Sequence, residues 1–439
     1  MNCPKYPACV WRSRQKIHWQ AVWSGAFFTY ICWHRPQPHP VIQLPNMAPK
    51  PCLERLIIQG YRPFKNFHAQ LESLEVLVGA NGSGKSSLFD FLKFLRDGLK
   101  DDIPPEIVSG SVGQQLFHSN GPERFWWSLE INFGQPRAIR YQGELMGPIG
   151  KTRVSFERVV TVPDKNSEKE GYLFMNIREQ TGLVQDPDTK RLTKQELTLK
   201  RPNQLALSTV TNPALVTLYN LREYIESWRF YSSFKIRNEK IRQPVPIVQT
   251  PVLDEDAGNL SAVLFNLSSE YAAQFDELQS CLRLVVPGFK RLSVKASGAP
   301  GHVIAFWQEQ GLSLDLSLAD LSDGILRLIC WLVLCVHPNP PALICIDEPD
   351  QGVHPRTLPL LADYFAKAAE RTQLIISTHS SYFLTRFELK NIAVMRKEAG
   401  AAVFYKPVNS AYLRQSLDEF GADELEKLHR SDELEQVPA

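Results

Sequence analysis

Apolar positions along this chain fall into short continuous runs and longer helical stripes, and the two kinds alternate. Residues 53–58 and 74–78 are apolar runs of strand length separated by the turn-rich stretch 60–65, and 86–99 repeats its apolar side at helical spacing. Strand, turn, strand, helix is an α/β opening. Between Arg124 and Ser208 the rhythm shortens. Segments 125–133, 138–144, 154–162 and 172–178 are β-rich and divided by Gly, Pro, Asp and Asn, which predicts an antiparallel meander inserted into the first lobe or wrapped against it. Helical spacing returns at 213–229 and, past the polar turn 254–258, at 259–284; 289–295 and 302–307 then read as paired strands. Residues 325–336 are almost wholly apolar and predict a buried helix. In the last third, 343–346 and 374–377 are continuous apolar strands of the parallel-sheet kind, and 356–370 is an amphipathic helix. The strands at 74–78, 343–346 and 374–377 are expected to share one sheet.

The beginning of the chain breaks this pattern. Its first 46 residues crowd Trp11, Trp19, Trp23 and Trp33 around an apolar stretch too short to span a bilayer, then add Pro36, Pro38, Pro40 and Pro45. No small-residue cleavage site follows, which weakens a signal-peptide reading, and Met47 stands just before the first strand. Residues 1–46 are therefore expected to be a poorly packed leader or the product of an upstream start. The expected division of the rest is a discontinuous core at 47–120 and 310–409, a β-rich and helical insertion at 121–309, and a helical tail at 410–439. No sustained heptad repeat appears, so long coiled-coil arms are not expected.

Composition restricts the reading only modestly. A chain of 439 residues with 44% hydrophobic and 22% charged content is globular, and a formal net charge of +2 supplies no overall basic field. Any nucleic-acid contact has to come from a local patch. The eight cysteines include no C-x-x-C pair and no His/Cys cluster at zinc spacing, which fits a reducing cytoplasm. Cys330, Cys335 and Cys345 fall in apolar runs, as small buried thiols do.

Chemistry enters at Gly79-Ala80-Asn81-Gly82-Ser83-Gly84-Lys85-Ser86-Ser87. Gly79, Gly84, Lys85 and Ser86 meet the G-x-x-x-x-G-K-[ST] spacing between a strand and a helix, where backbone N–H groups and the helix N-terminus cradle phosphates. Lys85 then reaches the β- and γ-phosphates of ATP, and the Ser86 hydroxyl holds Mg²⁺. A second piece is Asp347-Glu348-Pro349, two acids at the carboxyl end of a strand, where open α/β sheets bind ligands. Asp347 is placed to hold the Mg²⁺ shell and Glu348 to act as general base for the attacking water. Pro349 disfavours the helical region for Glu348, so strand geometry is expected to carry through and aim Glu348 at the γ-phosphate.

Leu321-Ser322-Asp323-Gly324 opens the apolar helix. Ser322 fits an N-cap, and a helix N-terminus with Ser322 and Gly324 is also a second anion site; the pattern alone does not separate the two readings. Arg327 fits a snorkelling side chain or an acid's partner as well as a phosphate contact. Thr378-His379-Ser380-Ser381 follows a strand, and His379 is expected to sense the γ-phosphate and attacking water as a neutral hydrogen-bonding imidazole.

In this order the four pieces resemble the ABC-type ATPase heads of the RecF, SMC and OLD-like group, and within it a compact bacterial AAA-family branch. Gly258-Asn259-Leu260 and residues 321–327, 348–355 and 377–380 carry the likeness, which extends from Leu53 to the C-terminus. Ala80 replaces a frequent Pro, Asp350 a usual Glu and Val353 a usual Leu; Gln114 and Gln115 are candidates for the glutamine-loop residue. The resemblance implies an α/β P-loop NTPase of ABC-type head fold with a mixed sheet, an antiparallel β-rich lobe and a helical subdomain. It further implies an ATPase using ATP and Mg²⁺ as a homodimer, in which the Ser322–Gly324 turn of one copy closes over the γ-phosphate held at Lys85 of the other.

Heads of this group act in DNA repair, chromosome maintenance or defence against mobile elements, so DNA is an expected partner. OLD-like relatives add a nuclease domain, whereas Asp418, Glu419, Asp423 and Glu424 here read as a solvated helix, so a nuclease or other effector is expected to be a separate protein. The alternative is a nucleotide-binding subunit of a membrane transporter, opposed by LSDG in place of an LSGGQ-type signature and by the β-rich stretch 124–208. A small-molecule P-loop kinase is disfavoured because Glu348 and His379 position a water rather than a substrate hydroxyl. No membrane contact is expected, and the need for cytosolic ATP puts the chain in the cytoplasm.

Overall fold

Short, mainly apolar strands need cover on both faces, and in this protein they form the centre of a sheet with packing on either side. The structure is a computed structural model that describes residues 50–103, 116–119, 121–148, 151–163, 171–186, 193–232, 234, 236, 239–410, 413, 422–431 and 434. The expectations for 1–46, Gln114, Gln115, Asp418 and Glu419 lie outside the described residues.

In chain order, β1 (Cys52–Gln59), β2 (Phe67–Gln70) and β3 (Leu74–Val78) lead to α1 (Lys85–Lys100). A meander follows: β4 (Arg124–Asn132), β5 (Ile139–Met146), β6 (Arg153–Thr161), β7 (Leu173–Arg178), β8 (Thr181–Asp186) and β9 (Thr193–Thr198). Next come α2 (Val216–Glu226), β10 (Arg229–Ser232), β11 (Val245–Pro246), α3 (Leu260–Glu270), α4 (Ala272–Val285), β12 (Phe289–Ala296), β13 (His302–Glu309) and β14 (Leu316–Ser317). The last third holds α5 (Asp323–Val336), β15 (Leu343–Asp347), α6 (Leu358–Ala368), β16 (Gln373–Ser377), α7 (Ser381–Leu384), β17 (Ile392–Glu398), β18 (Ala401–Tyr405) and α8 (Ala422–Arg430).

The central sheet has the order β10-β15-β16-β3-β17-β18, parallel except for β18. Alternation along β3 sends Leu74, Val76 and Val78 into one core and Leu77 into another. The first core holds the apolar sides of α3, α4, α5 and α6, including the fully buried Trp331 and Phe365. The second holds α1 through Phe91, Phe94 and Leu95, together with Leu56, Trp127, Leu129 and Tyr141 from an eight-stranded antiparallel sheet of order β2-β1-β4-β5-β6-β7-β8-β9. Each such side chain contributes about 1.5–3 kcal/mol by leaving water. A third, small sheet pairs β12 with β13 and adds β11 and β14 along β13.

Two expectations are corrected. The helix expected over 213–229 stops at Glu226, and Arg229 opens β10 instead, because Trp228 is fully buried and the chain then pairs in parallel with β15. The helix expected over 259–284 is two helices, broken at Tyr271, whose backbone (φ −133°, ψ 56°) is not helical. In the sheets themselves, β10 completes the central sheet, while β1 and β2 extend the meander.

Candidate active site

Parallel strands that end at one level put their following turns side by side. Register pairs Asp347 with Ser377 across β15 and β16, and Ser377 with Leu77 across β16 and β3. At about 4.8 Å per strand, the acid pair and the start of the glycine loop stand roughly 10 Å apart, with Thr378 and His379 just past the end of the strand between them.

Gly79 leaves β3 with φ 147°, and a Cβ there would lie 2.0 Å from the Met395 carbonyl oxygen on β17, so the loop can pass this close only without a side chain. Gly84 (φ 115°) is the N-cap of α1 and supplies no side-chain cap. The helix dipole and its uncapped first turn therefore favour an anion at this position. The Ser83 N–H donates to Ala80 O at 3.1 Å, and Ser83 Oγ is buried with no hydrogen-bond partner. Ala80, Asn81, Gly82 and Ser86 are exposed and Ser87 is half-buried. Lys85 is buried and folds back, its Nζ donating to Gly79 O at 2.6 Å and Ala80 O at 3.2 Å. A phosphate can displace that hold, because its full negative charge attracts the ammonium more strongly than the partial charge of a neutral carbonyl oxygen does. The loop as built thus fits a polyphosphate.

At the acid pair, Asp347 accepts a hydrogen bond from Ser377 Oγ. Glu348 departs from expectation: β15 stops at Asp347, and Glu348 takes φ 52°, in the left-handed region. Pro349 disfavours the right-handed helical backbone, and Glu348 takes neither that nor the extended form. The Glu348 N–H donates to Ser377 O at 2.9 Å and its carbonyl accepts from Gln351 N–H at 3.1 Å, so a tight turn begins where a continued strand was expected. Such a backbone at a non-glycine residue costs on the order of 1–3 kcal/mol and persists where its surroundings over-determine it.

The Glu348 carboxylate accepts from Gln351 Nε2 and stands 3.7 Å from His379 Nε2. Both side chains reach solvent, Glu348 at 27% and His379 at 38% exposure, so a water has access to the pair. Thr378 ties the turns together, donating to Asp350 Oδ1 at 2.7 Å and accepting from Ser380 N–H at 3.0 Å.

Ser322 caps α5, its Oγ accepting from Ile325 N–H at 3.4 Å, and is itself exposed. Gly324 sits where a Cβ would lie 2.9 Å from Gly352 O, so a side chain there would push the two turns apart. Arg327 reaches the same place: a Cβ on Gly352 would lie 2.0 Å from its Nη1, and its Nε is buried without a hydrogen-bond partner. The Ser322–Gly324 turn is thereby brought against the turn that follows Glu348. Sequence reasoning placed Ser377 and Gln351 in the segments that carry the likeness but gave neither a role. A polar residue closing an apolar strand at a sheet's carboxyl edge is the signal that points to Ser377. Among the described residues no group of three or more His, Cys, Asp and Glu side chains is arranged to hold a metal. A Mg²⁺ ion would rest on Ser86, Asp347 and ligand oxygens, in keeping with its habit of using one or two protein ligands plus phosphate.

A glycine loop on β3, acids at the end of β15, and an antiparallel lobe against a mostly parallel sheet make an α/β fold of the ABC-type head class. More particularly, the chain belongs to the family described as "AAA domain, putative AbiEii toxin, Type IV TA system", which matches residues 75–385. Among solved structures, it is similar to the Smc head domain with an extended coiled coil, bound to the C-terminal domain of ScpA, derived from Pyrococcus furiosus. That match has 12% identity and a TM-score of 0.50, covering 84% of this chain and 100% of that one. A SmcHead bound to the C-winged helix domain of ScpA matches at 14% identity and TM-score 0.49, covering 80% of this chain and 97% of that one. The SMC head domain from Thermotoga maritima matches at 13% and 0.38, covering 81% and 98%. At these identities the likeness is one of fold. No curated protein matches the chain.

Proposed function

We propose that this chain is an ATP-hydrolysing head that dimerises around ATP and works as a nucleotide-driven switch. The observation that carries the proposal is the convergence, at one sheet edge, of the Lys85 loop, the Asp347–Ser377 pair and the Glu348–His379 pair. Residues 79–87 would hold the triphosphate, and Ser86 and Asp347 would share Mg²⁺ with it. Bound Mg²⁺ and ATP supply a charge-neutralised γ-phosphoryl group. Glu348 accepts the water's proton, its carboxylate fixed by Gln351 and by the left-handed turn, while His379 beside it holds the water by hydrogen bonding. The Ser322–Gly324 turn of a second copy closes the site, and loss of the γ-phosphate releases it, so nucleotide state selects between joined and separate heads.

Work on or near DNA, in repair, chromosome maintenance or defence against mobile elements, is supported by the motif resemblance to RecF-, SMC- and OLD-like heads. Among the described residues no helix is long and apolar enough to cross a membrane. The test is phosphate release by the purified chain with Mg²⁺ and ATP, alone and with single-stranded, duplex or ended DNA. Glu348→Gln is expected to slow turnover about 10²–10⁴-fold, the usual worth of a general base. Phosphate release that Lys85→Ala and Glu348→Gln both leave untouched would overturn the assignment.

A further inference from the structure

We propose that Arg242 is a positioning residue for the Ser322–Gly324 turn, and that it cancels the charge of Asp323 where that turn meets phosphate. The inference rests on the proposed closure of the turn over a second copy's triphosphate. Asp323 lies between the two residues expected to face the ligand. A carboxylate in the first turn of α5 suits the helix dipole, but a bare negative charge at a triphosphate site repels the ligand.

Arg242 meets that charge from 81 residues away, its Nη2 standing 2.8 Å from Asp323 Oδ1. Its Nη1 lies 2.7 Å from Ala319 O, 3.0 Å from Leu321 O and 3.3 Å from Leu318 O. These carbonyls belong to the 3₁₀ turn Leu318–Asp320 and the residue after it, where a helical end leaves acceptors without partners. The other end of that turn is closed by Ser317 and Asp320, whose side chains bond at 2.7 Å. One guanidinium therefore ties together the approach to the turn and the first residue of α5. A planar fork of donors can do this; the point charge of a lysine cannot. At 23% exposure the Arg242 side chain is neither fully screened by water nor stranded in the core.

The short turn that carries Arg242 packs, through Lys240, on the Gly258-Asn259-Leu260 motif, to which the nucleotide chemistry gives no role. Arg242 ends the short turn Glu239–Arg242. A Cβ on Gly258 would lie 3.4 Å from Lys240 Cβ and 2.9 Å from Asp256 Oδ1, so the two turns pack directly. Lys240 Nζ stands 3.6 Å from Asp256 Oδ2 across the same contact. Asn259 locks its own loop, donating to Val252 O at 2.8 Å and accepting from Asp254 N–H at 2.9 Å, and Leu260 is fully buried at the start of α3. With Gly324 against Gly352 on the other side, the phosphate-facing turn is held between Arg242 and the turn that follows Glu348.

The test is ATP-driven association of the full-length Glu348→Gln chain, followed by light scattering over a range of ATP at low and at high salt. Adding Arg242→Ala is expected to raise the ATP needed for half-association about tenfold at low salt, with the deficit shrinking as salt screens Asp323. Asp323→Asn in the same chain is expected to restore most of the loss and abolish its salt dependence, a rescue that mere misfolding would not allow. Arg242→Lys should keep the charge and lose the fork, falling between the two. An Arg242→Ala chain that associates as its parent does, or a loss that neither salt nor Asp323→Asn relieves, overturns this inference alone. A parent chain that stays monomeric in ATP overturns the dimer reading and this one with it.

Discussion

Glu157 gives the sharpest stability prediction in the molecule. It lies on β6, fully buried in the antiparallel lobe, and its carboxylate accepts from Tyr141 Oη at 2.9 Å, from Leu207 N–H at 3.0 Å and from Ala206 N–H. Burial pushes its pKa from 4.5 up to about 7, and the three donors offset only part of that push. The folded state therefore keeps a proton that the unfolded chain has already released. Stability is full below the unfolded value, falls as pH rises from about 4.5 to about 7, and is level above. The full interval is worth about 3.4 kcal/mol, of which about 2.5 falls between pH 5 and pH 8.

Glu157→Gln is neutral at both pH values and close in shape to the protonated acid. Its stability relative to the parent should rise by about 2.5 kcal/mol from pH 5 to pH 8, a gain of roughly 3 °C in melting temperature for a domain of this size. Thermal melts of both proteins at the two pH values measure it. An offset between variant and parent that does not change with pH would mean Glu157 titrates normally and would refute the reasoning.

Two further substitutions probe the phosphate loop and its strand. Gly79→Ala sets a Cβ 2.0 Å from the Met395 carbonyl at φ 147°, so the loop must shift. At about 1–3 kcal/mol of strain, ATP binding should weaken roughly 10–100-fold with the far-ultraviolet circular dichroism unchanged; binding within twofold of the parent in a fluorescent-nucleotide titration would contradict this. Glu75, fully buried on β3, is paired with Lys406 Nζ at 2.6 Å, and burial pushes its pKa up to about 7 against the pull of Lys406. Lys406→Met removes the pull that lowers the Glu75 pKa, so the buried carboxyl must hold its proton to still higher pH and the variant should lose stability at pH 8, by about 1.4 kcal/mol for each unit the pKa rises. The loss at pH 5, where Glu75 holds its proton, should be far smaller; equal losses in denaturant titrations at the two pH values would rule out this account of the pair.

Much of the site could be read along the chain because its parts are local. The glycine loop, the acids after an apolar strand and the Ser322 cap each depend on neighbours within a few residues, and the structure has them on β3, β15 and α5. What escaped depends on distant partners. Pro349 disfavours the right-handed helical backbone at Glu348 without calling for the left-handed one; the hydrogen bond to Ser377 O, from another strand, holds it there. The Arg178-to-Thr181 hairpin hid β8, because its two turn residues, Glu179 and Gln180, hold positive φ without the usual Asn-Gly signal. β10 is a strand because β15 pairs with it, and nothing in Arg229–Ser232 alone distinguishes it from the end of a helix. Arg242 has no local pattern at all: its partners lie 76 to 81 residues away.

The central claim is that ATP joins two copies of this chain and that Glu348 chemistry separates them. Its most direct test is the mass in solution of the Glu348→Gln chain with saturating Mg²⁺ and ATP, beside the same chain with ADP. A dimer in ATP and a monomer in ADP is the result predicted here; a monomer in both, with ATP binding intact, would contradict it.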